Sequence, residues 1–344
     1  MTRRTPARRA PGARGSRLRA LVAGLVALVL AGCASAVRLA DVAQPGQLPP
    51  TVELDSTPFH PQADQQCGPA ALATVLGAAG RAAPLDQLAR EIFVPGRAGS
   101  LQPELVGAIR ARGLLPYELR RDTAELMAEV AGGRPVLVLQ KQGVGPWPAW
   151  HYAVVIGYDT GRGTFLLRSG TTERLEMRAA LFDATWSRAD RWAIVTLVPG
   201  QLPRRPDLGR YMQAAAALEA VGHPGAARDA YAAAIEHWPD EPLPRLGLAN
   251  VDAAQGRWSE AERGYAAVLR LDPGSAAALN NRAEALGRLG CLAAARELLA
   301  AGTTRLAADD PLRPALMRTA AELEARAAGA VLPEPAACTR LGVR

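Results

Sequence analysis

The sequence predicts an α+β domain followed by an all-α helical solenoid. Between about Phe59 and Pro199, apolar residues recur first at helical spacing and then in short strand-like runs, and helices followed by antiparallel strands argue for α+β. From about Arg205 the composition turns alanine-rich, and selected positions return every 34 residues. A chain of 344 residues has room for both units.

The amino terminus is of a different kind. Residues 1–32 hold seven arginines and no acidic residue, which accounts for the whole formal net charge of +7. The remainder is neutral, with Lys141 its only lysine, so no basic surface suited to nucleic acid is expected. The apolar run Ala20 to Leu30 is too short to span a bilayer and suits a secretion signal. It ends Leu30-Ala31-Gly32-Cys33, which resembles the lipobox of bacterial lipoproteins. That resemblance implies a lipid on the Cys33 sulfur, cleavage before Cys33 and acylation of the new amino terminus, hence a membrane anchor. Ala34 stands where an inner-membrane retention signal often has Asp, so the periplasmic face of the outer membrane is expected. An ordinary secretory signal with an incidental cysteine is the alternative. Residues 33–58, broken by Pro45, Pro49 and Pro50, read as a tether.

The first domain, residues 59–200, is expected to open its regular structure at Cys67. Pro69 suits a first helical turn, and Leu72, Val75, Leu76 and Ala79 lie on one apolar face. Leu85, Leu88, Ala89 and Ile92 make a second helix. Ser100 would cap a third that carries Leu105, Ala108 and Ile109, and Asp122 or Thr123 would cap a fourth that ends at Gly132-Gly133. Val136 to Leu139 is a buried strand and His151 to Tyr158 a second. Asp159 to Gly163 forms a turn, Thr164 to Ser169 returns, and Trp192 to Val198 closes the domain.

In the second unit Gly222, Gly256 and Gly290 are 34 apart, as are Ala227, Ala261 and Ala295. Tyr231 matches Tyr265, and Pro239 matches Pro273. This pattern resembles the tetratricopeptide repeat. The repeats with a capping helix are placed at 205–329 and a loose tail at 330–344. The third copy departs, with Leu299 for the tyrosine and Ala307 for the proline. Stacked helical pairs form a concave groove, so a protein partner or peptide substrate is expected there.

Cys67 is the candidate nucleophile. At a helix start it lies beside unpaired backbone N–H groups and the positive end of the dipole, conditions that favour thiolate. The competing reading is a small buried hydrophobe. The histidines are His60, His151, His223 and His237. His151 opens a strand just after the tryptophan-rich loop and is the best base, while Trp147 and Trp150 would be cleft wall or plain packing. Cys291 and Cys338 remain and could pair.

Gln62…Cys67-Gly68-Pro69-Ala70 followed by His151-Tyr152-Ala153-Val154-Val155-Ile156-Gly157-Tyr158-Asp159 resembles the bacteriocin-processing cysteine peptidases of the double-glycine leader type, within the papain-like superfamily. The resemblance covers roughly residues 58–170. It implies an α+β papain-like cysteine peptidase domain, with Cys67 as nucleophile, His151 as base, and Gln62 as oxyanion donor beside the Cys67 N–H. Gln65 or Gln66 could replace Gln62. It implies no metal and no organic cofactor. Where the family has Asp or Asn, this chain has Ser169. Asp159 lies eight residues along the strand from His151, about 27 Å away, and cannot substitute. With Tyr158 facing Thr164, Ser169 falls opposite Ala153 and diagonal to His151, within reach of its ring. Thr171 could also accept, and Asp183 or Asp190 could fold back. Three functions follow: a lipid-anchored cysteine peptidase, a peptide-binding envelope adaptor without hydrolysis, and an acyl transferase or transamidase on the same pair.

Overall fold

The computed structural model describes residues 38–43, 47–62, 66–94, 96, 99–143, 149–304, 309–328 and 338. The segment expected to be a secretion signal with Cys33, the alternative donor Gln65, Trp147 and most of the tail lie outside them. The strands are β1 (Thr51–Glu53), β2 (Leu115–Glu118), β3 (Val136–Lys141), β4 (Trp150–Asp159), β5 (Thr164–Ser169), β6 (Thr172–Arg178) and β7 (Ala193–Leu197). They form one sheet in the order β2-β7-β3-β4-β5-β6, with β1 paired to β4. Every pairing between these strands is antiparallel.

Strand alternation gives the sheet two buried faces. Leu137, Leu139, Tyr152, Val154 and Ile156 face helices α2 (Cys67–Ala78), α3 (Leu85–Ile92) and α4 (Gln102–Arg110), which contribute Leu72, Leu76, Leu88, Ile92, Leu105 and Ile109. Val136, Val138, Ala153 and Val155 face the other way. There they meet α1 (Leu39–Ala43), α5 (Thr123–Ala131) and α6 (Ala179–Ser187).

Residues 33–58 are not simply a tether. Leu39 and Ala43 of α1 are buried, and β1 pairs Thr51 to Glu53 with Asp159 to Gly157. The reason lies in β4, which is longer than its neighbour. β3 begins at Val136, opposite Val155, and leaves the far part of that edge of β4 unpaired, and β1 satisfies it. A side chain at Gly157 would strike the Val52 carbonyl, so glycine permits the approach. Ser100 does not cap α4. Leu101 takes the cap position, because Pro103 fits the first turn. Asp122 does cap α5, accepting from the Ala124 N–H at 2.9 Å.

The repeat region stacks α7 (Leu208–Ala220), α8 (Pro224–His237), α9 (Pro242–Ala254), α10 (Trp258–Leu271), α11 (Ala276–Arg288) and α12 (Leu292–Thr303). The last helix, α13, spans Arg313–Ala328. Gly222, Gly256 and Gly290 adopt φ of +86°, +74° and +84° at the turn inside each pair. That left-handed backbone favours glycine and explains the 34-residue recurrence. Ala227, Ala261 and Ala295 are fully buried where paired helices meet. Leu299 is buried at the place that Tyr231 and Tyr265 fill in the earlier copies. Cys291 and Cys338 are joined by a disulfide.

The two units share one core. Tyr211, Leu218, Ala227, Tyr231 and Ala234 of the first helical pair pack into the cluster built on the β3–β4–β7 face. Polar contacts reinforce the junction. The Arg204 N–H donates to Glu129 at 2.5 Å, the Asp207 N–H to the Tyr117 hydroxyl at 3.2 Å, and Arg210 to Glu125 at 3.2 Å. The His223 Nε2–H reaches the Ala111 carbonyl at 3.1 Å. Glu125 and Glu129 are both 0% exposed. Burial pushes the Glu129 carboxyl above its ordinary range, while Arg134 at 2.6 Å opposes this.

Candidate active site

Cys67 is the first residue of α2 and is half-buried against the cluster that holds Tyr152, Val154 and Leu72. The next residue, Gly68, lies under the segment before α4. A Cβ there would sit 2.8 Å from the Ser100 Cβ, so only glycine fits. The Tyr152 hydroxyl donates to the Ser100 carbonyl at 3.3 Å and ties the start of β4 to that segment. Burial, with the charges of Cys67 and Glu104 nearby, pushes the Tyr152 phenol far above its usual range. It is thus a neutral donor.

His151 precedes Tyr152 on β4, on the face that carries Ala153 and Val155. Its Nε2 lies 2.8 Å from the Ser169 Oγ. The register that brings them together has two compensating steps. Tyr158 faces Phe165 and not Thr164, because Asp159 pairs with Thr164 and closes the turn through the Arg162 N–H at 2.9 Å. A bulge between Val155 and Gly157 then takes up one residue, so Val154 faces Arg168. One step further, Ser169 stands opposite Ala153 and diagonal to His151.

The preceding strand of chain is drawn to the same corner. The Gln62 N–H donates to the Gly170 carbonyl at 3.1 Å, next to Ser169. Arg168 holds the lead-in to Gln62, donating to the Thr57 carbonyl at 2.9 Å, Asp55 at 3.1 Å and Glu173 at 2.7 Å. Gln66 precedes α2 and makes no side-chain cap. The structure therefore gathers His151, Ser169 and the Gln62 backbone, and sets Cys67 beside Tyr152. Among the described residues no hydrogen bond joins Cys67 to His151.

No described carboxylate takes the third place. Asp183 pairs with Arg191 at 2.8 Å and Asp190 with Arg121 at 2.5 Å. Burial alone lowers the His151 pKa, and nothing negative raises it. The imidazole is therefore neutral at pH 7. The unfolded chain takes up a proton near pH 6.5 before the fold does, so stability falls as the pH drops below that value. Nε2 is occupied by Ser169, which leaves Nδ1 as the nitrogen available to a thiol. Only the tautomer in which Nε2–H donates to Ser169 makes Nδ1 a base. A carboxylate would enforce that tautomer, whereas a hydroxyl also permits the reverse bond. A Ser169→Asp variant is accordingly expected to raise the His151 pKa by about 1–3 units, read from the pH titration of the ring Cε1–H signal by NMR. An unchanged or lower midpoint would contradict the arrangement.

One neighbour was not singled out from sequence. Gln140 is paired directly across from His151, fully buried, and donates to the Thr185 Oγ1 at 2.9 Å. An amide ending the apolar run Val136 to Leu139 is the signal that points to it. Trp150 is 53% exposed, with the Lys141 ammonium 5.4 Å from its ring centre.

A helix that begins at a cysteine and packs on an antiparallel sheet, with a histidine at a strand start held by a polar residue of the return strand, is the α+β arrangement expected of a peptidase-like domain. Residues 54–191 match the Peptidase_C39 like family. The chain carries a C39-like peptidase domain fused to tetratricopeptide-type repeats, and its function is that of a peptidase or a peptidase-like protein. Among solved structures it is similar to a putative C39-like peptidase from Bacillus anthracis, at 19% identity and a TM-score of 0.38 over 43% of this chain and 97% of that one. It is similar to the peptidase domain of Streptococcus ComA, at 19% identity and a TM-score of 0.34 over 41% and 98%. The Yersinia enterocolitica chaperone SycD, in complex with a peptide of the translocator YopD, gives 21% identity and a TM-score of 0.34 over 36% and 93%. Comparison with the curated proteins finds no match.

Proposed function

We propose that the chain is a lipid-anchored periplasmic cysteine peptidase in which Cys67 is the nucleophile and His151 the base. The observation that carries this reading is the 2.8 Å contact of Ser169 with His151 Nε2, which turns Nδ1 toward service as a proton acceptor. In this reading Nδ1 takes the Sγ proton, and the thiolate attacks a peptide carbonyl. The oxyanion is received by the Cys67 N–H and the Gln62 amide. The imidazolium then protonates the leaving amine, and water hydrolyses the thioester. This reading requires the His151 ring, which starts β4 on the Ala153–Val155 face, to swing round the strand end to Cys67 when substrate binds, since contacts between catalytic groups are often open without substrate. The lipid on Cys33 holds the chain at the outer membrane, and the repeat groove engages a protein partner or the substrate.

A peptide mixture incubated with the mature chain and read by mass spectrometry for new amino termini tests this. Cleavage that disappears in Cys67→Ala is the expected result; equal cleavage in both proteins would remove Cys67 from the reaction. The uncharged Ser169 favours one second reading, a domain that binds peptide without cutting it. Peptide retention with no new termini would select that reading. Peptide–amine adducts in place of free acids would select acyl transfer.

A further inference from the structure

We propose that the pocket between α4, β2 and α7 is a binding site for a small oxyanion, a carboxylate or a phosphate. The pocket holds about 420 Å³ and lies where the peptidase domain meets the first repeat. That volume is within the usual range of small-molecule sites. Four guanidinium groups line it, from Arg110, Arg120, Arg121 and Arg210, against the single carboxylate of Glu118.

Three of the four are already engaged. Arg120 and Arg210 share Glu125, at 3.1 and 3.2 Å, and Arg121 pairs with Asp190. Arg110 is different. Its Nε is buried with no hydrogen-bond partner, and no described carboxylate pairs with it. Partial burial lowers its pKa, as expected for a cation that loses some of its water without compensation. The Arg110 side chain is half-buried, and its enclosed Nε–H lacks both a partner and a counter-charge, which is costly. A water could satisfy the Nε–H but not the excess positive charge. A carboxylate or phosphate does both, because its oxygens match the guanidinium fork. Gln213, on the same helix as Arg210, adds an amide to the wall from the repeat side.

The test is the melting temperature of the mature chain in phosphate and in citrate, each against sodium chloride of equal ionic strength. A rise of about 4 °C or more near saturation is expected with at least one of them, and Arg110→Met, which keeps the apolar stem, should abolish it. Gln213→Glu should also abolish it, by placing a carboxylate in the site, and decides the matter if Arg110→Met does not fold. A rise with phosphate alone names a phosphate site, and with citrate alone a carboxylate site. No rise beyond the salt control, or a rise that survives the variants, overturns the proposal.

Discussion

His151→Ala is expected to lower peptide hydrolysis by about 10²–10⁴-fold, or roughly 3–5 kcal/mol of barrier. The variant removes the group proposed to take the thiol proton and return it to the leaving amine. It also removes an acid limb. In the wild type the rate of Cys67 alkylation should fall where the ring protonates, and burial sets that point below the ordinary histidine value. Alkylation of His151→Ala should be slower at neutral pH and lack this limb. Superimposable profiles would mean that the ring never serves the thiol. The variant leaves Ser169 unpaired but buried beside a small side chain, so the fold itself should persist.

Much of this corner is legible from residue order. Cys67-Gly68-Pro69 announces a helix start, and a polar strand opening at His151 stands out against the apolar residues that follow. The path by which Ser169 reaches the ring is less legible. A bulge between Val155 and Gly157 has no sequence mark beyond a glycine, yet without it every side chain of β5 beyond that point would change faces. Likewise the role of Arg168 depends on the Asp55 and Thr57 carbonyls, more than a hundred positions earlier.

Division of the chain after Arg204 should have the largest effect on stability. A fragment of residues 38–204 loses Tyr211, Leu218 and Tyr231 from a core that includes Val136, Val155 and Leu197. Each large side chain withdrawn from such a core costs about 1.5–3 kcal/mol, and the sheet residues beneath are uncovered as well. Glu125, fully buried in the whole chain, loses Arg210 and keeps Arg120 as its partner. The total is comparable with the whole stability of an ordinary domain, about 5–15 kcal/mol. Urea unfolding followed by circular dichroism should show no cooperative transition for this fragment. A fragment ending after Asp240, which keeps α7 and α8, should show one. A steep transition in the shorter fragment would mean that the shared core is not needed.

The same junction shows where sequence reading stops. Glu125 and Glu129 sit between Leu126, Met127 and Val130 and look like the solvent face of α5; only the arrival of Arg204 and Arg210 makes them interior. β2 contains Pro116, which argues against a strand unless it lies at an edge, and β2 is an edge strand. β6 is mostly charged and half exposed, so it lacks the apolar alternation that reveals a strand. By contrast, the repeat glycines and alanines are dictated by backbone sign and helix spacing, both local properties, and they recur visibly.

The bridge between Cys291 and Cys338 bears on how the protein must mature. It leaves Cys67 as the free cysteine among the described residues. Any other linkage among these three would tie up Cys67 and strand one cysteine of the repeat region. Among these three cysteines, oxidation thus has one native pairing and two others, and both of the others consume the sulfur proposed as nucleophile. A chain oxidised before its third helical pair has closed would be a substrate for disulfide isomerisation, with restored Cys67 labelling as the mark of repair.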